Sequence, residues 1–148
     1  MLRVPPRLVN QRTGEVVVRN VEVADTRSSR RRGLLGRDSL EASSALVISP
    51  CFAVHTAFMR FAIDVVFVDR DGCVVRIVRE LPPWRMAAAW RAQQVIELPA
   101  GELRTRDVRV GDRLYLDPFG AEGVTPSPSS SDSDSLRRTA SNPACSGS

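Results

Sequence analysis

The chain has 148 residues, of which 43% are hydrophobic, with three cysteines, one histidine and a net charge of +4. That length fits one ordinary domain that can bury a core without disulfides or metals for bulk stability, and three cysteines at no recognisable spacing give no reason to expect a disulfide framework. The opening MLRVPPRLVN lacks the apolar run of a signal peptide, and no stretch approaches the roughly 18 to 20 apolar residues of a membrane-spanning helix, so the expectation is a cytoplasmic protein with no membrane span.

In chain order, Leu8 to Ala24 reads as a first hairpin: LVN, a turn over QRTG with Gly14 free to take positive φ, then EVVVRNVEVA with Val17, Arg19, Val21 and Val23 alternating. Asp25 or Thr26 offers a side-chain oxygen to cap a short helix through Leu35, with Gly33 and Gly36 limiting its length. Ala45 to Ser49 (ALVIS) is an inner strand halted by the corner at Pro50. Val54 to Met59 has strand composition, and FAIDVVFVD, Phe61 to Asp69, is the most β-prone run. Asp71-Gly72 is a tight-hairpin signal that returns the chain as CVVRIVRE, antiparallel to it.

Leu81-Pro82-Pro83 ends that strand because proline cannot donate to a ladder. Trp84 to Gln94 is read as a loop with helical tendency, Val95 to Leu98 as a short strand, Pro99-Ala100-Gly101 as a turn and Arg113 to Leu116 as the last strand. About seven short strands with one or two short helices predict a mainly β fold, a compact antiparallel sandwich or small barrel. Residues 1–118 form this single domain. After Pro118 the sequence GAEGVTPSPSSSDSDSLRRTASNPACSGS has little to bury, and residues 119–148 are expected to be a disordered Ser/Pro-rich tail.

Every basic residue is an arginine. That suits planar contacts with carboxylates and phosphates but reflects equally well a GC-rich coding sequence. The densest cluster, Arg30, Arg31, Arg32 and Arg37, has no interleaved aromatics, so nucleic acid is not the expected partner. The chemistry-bearing residues concentrate instead between Pro50 and Gly72. Cys51, His55 and Met59 recur every four residues and share a face on a helix or a strand alike. A thiolate, an imidazole and a thioether together suit copper(I), but a blue-copper centre needs two histidines and His55 is the single one.

Cys51 as nucleophile, His55 as base and Asp64 as the orienting carboxylate would form a catalytic set. A buried cysteine is equally a small core residue. Asp64 interrupts an apolar strand, so its carboxylate needs a partner, and Arg60 is the nearest by sequence. Trp84 and Trp90 are candidates to wall an apolar pocket.

The run RRRGLLGR, SPCFAVHTAFMRFAIDVVFVDRDGCVV, VIELPAG and VGDRLYL, about Val21 to Leu116, resembles the uncharacterised DUF192 family. In that family an aromatic-Met-Lys-Asn-Thr motif precedes proline, an apolar residue, Asp and an apolar strand. Here Met59-Arg60-Phe61 stands in the motif, Ala62 at the proline, Asp64 at the Asp, and Leu98 to Gly101 match the leucine-proline-alanine-glycine turn. The resemblance implies a mainly β fold and no assigned activity; many relatives look exported.

The expected function is a binding module with a pocket or partner surface spanning Cys51 to Asp64. Its contacts would be His55, Arg60, Asp64, Trp84 and Trp90, with Arg60 favouring an anionic group, its partner an unidentified ligand or protein, and no cofactor expected. The alternatives are an enzyme using Cys51 and His55 and a soft-metal site at Cys51, His55 and Met59.

Overall fold

Ten strands, one short α-helix and one 3₁₀ turn (Glu102–Arg104) build the described part of the chain, residues 4–118 of a computed structural model. The expected tail, 119–148, lies outside these residues, as do the side chains of residues 30–32. In chain order the elements are β1 (Arg7–Asn10), β2 (Val16–Val18), β3 (Asn20–Ala24), α1 (Arg27–Arg32), β4 (Ser44–Ile48), β5 (Ala53–His55), β6 (Ile63–Val68), β7 (Val74–Leu81), β8 (Met86–Ala88), β9 (Gln94–Pro99) and β10 (Leu114–Asp117).

The strands make three layers. A central sheet in the order β3-β4-β9-β6-β7 lies between a small sheet, β10-β1-β2, and a two-stranded ribbon, β5-β8. Side chains alternate across a strand, and both faces of the central sheet are covered. Ala45, Val47, Val66, Val68, Ile96 and Leu98 pack with Leu8, Val17, Val18 and Leu114 of the small sheet. Leu46, Ile48, Ile63, Val65, Phe67 and Val95 face the other way, against Val54 and Ala87 of the ribbon and Leu34 after α1. This double coverage explains why β6 reads as an almost unbroken apolar run: every one of its residues is buried.

The fold is therefore the expected mainly β sandwich, with no closed barrel among the described residues. Asp71-Gly72 makes its predicted turn between β6 and β7, with Gly72 at φ 82°. A Cβ there would lie 2.5 Å from the Leu114 carbonyl oxygen, so only glycine fits. Thr26 caps α1 through its hydroxyl, which accepts from the Ser29 amide, and the helix ends at Gly33.

Three expectations change. The predicted second strand of the first hairpin divides at Arg19: β2 pairs antiparallel with β1, while β3 crosses to the central sheet and pairs parallel with β4. The parallel pair follows from the crossover connection through α1. The strand expected over Val54 to Met59 stops at His55, because the next residue, the buried Thr56, turns its hydroxyl to the Pro82 carbonyl (2.7 Å) and receives the Arg85 amide (2.9 Å). Within the segment expected to be a helix-prone loop, Met86–Ala88 instead forms β8, its backbone held in register by β5. Pairing of the backbone outweighs the helix preference of three alanines.

Candidate functional site

The β5-β8 ribbon does not lie flat on the central sheet. Val54 and its partner Ala87 are buried inward, and beside them a cavity of about 480 Å³ opens between the ribbon, the central sheet and the turn after α1. Leu34, Leu35, Ile48, Val54 and Met59 give it apolar walls; Cys51, His55, Glu97 and Arg27 supply its polar groups. Cys51, His55 and Met59 all line it, although only His55 lies in a strand: Cys51 precedes β5 and Met59 follows the turn after it.

Each reaches the cavity for a local reason. Cys51 follows the Pro50 corner, is half-buried and donates its thiol to the Ala53 carbonyl at 3.0 Å. His55, paired with Met86 at the end of β5, is exposed at the rim. Met59 is buried beyond the turn that Thr56 pins. A thiol engaged with a carbonyl and half shielded from solvent reacts slowly, since the thiolate is the nucleophile and needs access. Alkylation of Cys51, followed by peptide mapping near neutral pH, is expected to run at least about ten-fold slower than that of an unstructured peptide thiol; equal or faster labelling would indicate an activated nucleophile. Cys73 is disulfide-bonded.

The residue that sequence reading missed is Glu97. In the register of β9 it sits opposite Leu46 on β4 and Val65 on β6, both of which face the ribbon, so its side chain shares that face and lines the cavity. It is only 5% exposed, and its Oε2 atom has no hydrogen-bond partner. Desolvation pushes its carboxyl up to about 7, against the pull of the Arg37 charge. The signal was present in the sequence: Glu97 breaks the run VIEL as Asp64 breaks FAIDVV.

Asp64 is equally buried but belongs elsewhere. It pairs with Leu98, not with Glu97, and so faces the small sheet, on the opposite side of the central sheet from Cys51 and His55. The expected Arg60–Asp64 pair is not formed. Asp64 accepts three backbone amides, from Glu80 (2.7 Å), Gly101 (3.1 Å) and Leu103 (3.0 Å), whereas Arg60 bonds Asp38 at 2.7 Å on the surface. The pairing of Asp64 follows from a bulge. Between Ile63↔Leu81 and Val65↔Val78 the strand β7 carries one residue more than β6, and the carboxylate supplies the Glu80 amide with an acceptor at that irregularity.

Trp84 and Trp90 do not wall the cavity. They are 60% and 86% exposed; the Trp84 ring meets Phe58 at a tilt of 60° with centroids 4.7 Å apart, and the Arg91 guanidinium lies 5.8 Å from the Trp90 ring. Both Phe58 and Trp84 have positive φ, 64° and 62°, which turns these rings outward. Among the described residues no group of three or more His, Cys, Asp or Glu side chains is placed to hold a metal ion, and no helix is long and apolar enough to cross a membrane.

The pattern that runs from the first strand to the last has a match among known families. The DUF192 family model, described as "Uncharacterized ACR", fits residues 8–116. The chain belongs to this family. Its match to DUF192 takes in every element named above except the first residue of β1 and the last of β10. The UPF0127 protein of Thermococcus sibiricus is 29% identical over 126 residues, 82% of this chain and 81% of that protein. The UPF0127 protein of Thermococcus gammatolerans is 31% identical over 122 residues, 74% of each. The crystal structure of a protein of unknown function from Novosphingobium aromaticivorans has a TM-score of 0.65 at 22% identity, covering 74% of this chain and 83% of that one, and so shares the fold.

Proposed function

We propose that this DUF192 protein is a small-molecule binding module whose ligand occupies the cavity beneath the β5-β8 ribbon. The observation that carries the reading is the cavity itself: about 480 Å³, within the range of roughly 300 to 1,000 Å³ of small-molecule sites, with apolar walls and a few converging polar groups. Catalysis by Cys51 and His55 is the weaker reading, because the third group expected to orient the histidine, Asp64, faces the other side of the sheet and Cys51 already donates to Ala53.

The test plugs the mouth. Leu35 lines the cavity from the turn after α1 and is exposed, so Leu35→Trp fills the opening without entering the core. A thermal-shift screen of a small-molecule library is expected to yield compounds that raise the melting temperature of the wild type by roughly 10 degrees at hundred-fold excess over Kd and that leave Leu35→Trp unmoved. A library without a single stabilising compound, or hits that act equally on the plugged variant, would refute the reading.

A further inference from the structure

A cavity with apolar walls on one side and a buried carboxylate oxygen, Glu97 Oε2, that has no hydrogen-bond partner is an unusual arrangement. A carboxylate away from water needs a proton, an internal cation or an external one. The internal cation whose charge reaches Glu97 is Arg37, but its guanidinium is hydrogen-bonded to both oxygens of Glu22, at 2.9 and 3.0 Å. Arg27 lines the cavity from an exposed position at the start of α1, where water screens it. Among the described residues Glu97 is the single acidic one that lines the cavity, and its Oε2 remains unmatched.

The chemistry of the walls then discriminates between ligands. An anion would meet the Glu97 carboxylate directly. A neutral apolar molecule would fill the volume but leave Oε2 without a donor. A hard metal ion demands several oxygen ligands, and among the described residues Glu97 is the only carboxylate on the cavity. An organic cation needs one anionic partner and an apolar wall, which is what Glu97 provides with Leu34, Ile48, Val54 and Met59.

We infer that the cavity takes a small organic cation, an apolar body with one ammonium group that donates to Glu97 Oε2. This rests on the proposal that the cavity is a small-molecule site and adds the charge and shape of the occupant. Charge-assisted hydrogen bonds are about twice as strong as neutral ones, and the ammonium also relieves the cost of the isolated buried charge.

The experiment uses the full chain and matched probes: primary amines from butylamine to octylamine together with 2-phenylethylamine, each beside the alcohol and the carboxylate of the same skeleton. Binding is followed by calorimetry at about pH 8, where Glu97 is ionised and the amines remain protonated. Amines are expected to bind at least about ten-fold tighter than their alcohols, the equivalent of one good charge-assisted hydrogen bond, and carboxylates weakest of all. In Glu97→Gln, which keeps the side chain's shape, the preference for amines should vanish while the alcohols still bind, which also reports an intact cavity. Alcohols that match the amines in wild type, or an amine preference that survives in Glu97→Gln, would overturn the assignment of a cation and leave the cavity standing as a small-molecule site. If no amine, alcohol or carboxylate binds at millimolar concentration, both readings are overturned.

Discussion

Glu97→Gln is expected to stabilise the protein by about 3 kcal/mol at pH 8 relative to its effect at pH 4, as read from urea unfolding of both proteins across that range. The sign follows from the two states of the carboxyl. In the unfolded chain it ionises at its ordinary 4.5, and in the folded protein, dehydrated beside Leu46 and Val65, at about 7. Between these values the folded state holds a proton that the unfolded state has released, so stability falls as pH rises through this window and stays low above it. Glutamine does not titrate and resembles the protonated acid in shape, so the variant escapes the loss. The carboxylates that arginine contacts and hydrogen bonds hold below their usual range, Asp107 and Asp112, contribute with the opposite sign, but they are common to both proteins and cancel in the difference. Equal pH dependence in wild type and variant would mean that Glu97 is paired in solution. A ligand that neutralises Glu97 should shrink the same difference, which ties this measurement to the cation-binding experiment.

A residue that destabilises the apo protein above pH 4.5 is hard to justify as a packing element. Its cross-strand neighbours Leu46 and Val65 are ordinary core residues, and an apolar side chain at position 97 would continue their row. Under the proposed binding function the carboxylate there is a recognition group, and sites of recognition carry stability costs that cores do not.

Much of the frame was legible in the sequence, and what was not has a common cause. Asp71-Gly72, the apolar run of β6 and the capping Thr26 are local signals, fixed by turn geometry and by the pattern of a few adjacent residues. Cys51, His55 and Met59 do share the cavity, but through the corner before β5 and the turn after it rather than through one regular backbone. The faces of Asp64 and Glu97, however, depend on which strands are neighbours. Strand β9 lies between β4 and β6, brought there from far along the chain, and only that register sets Glu97 beside Leu46 and Asp64 beside Leu98. Nearness in sequence made Arg60 look like the partner of Asp64, when the amides that satisfy it come from residues 80, 101 and 103. The tryptophans misled for a different reason: a large apolar ring suggests burial, but both rings are exposed, on the loops that flank β8.

Asp64→Ala is expected to lower stability by about 3 to 5 kcal/mol, the cost of removing one side of a buried charged network. The carboxylate is fully buried and its two oxygens divide three donors: Oδ1 takes the Glu80 amide at the bulge in β7, and Oδ2 takes the Gly101 and Leu103 amides in the turn after β9. Glu80 and Gly101 both have positive φ, so the side chain ties together two irregular backbone segments that no ladder bond secures. Asp64→Asn separates geometry from charge. Its single carbonyl oxygen can serve the Gly101 and Leu103 pair or the Glu80 amide, but its NH₂ group meets the remaining donors, so a loss of about 2 kcal/mol is expected, smaller than for alanine. Because Asp64 and Glu97 face opposite sides of the sheet, the asparagine variant should retain whatever binds beneath the ribbon with affinity unchanged at temperatures where it is folded. Loss of binding in a folded Asp64→Asn would place Asp64 in the site after all, while a variant as stable as wild type would show that the three amides find water in its place.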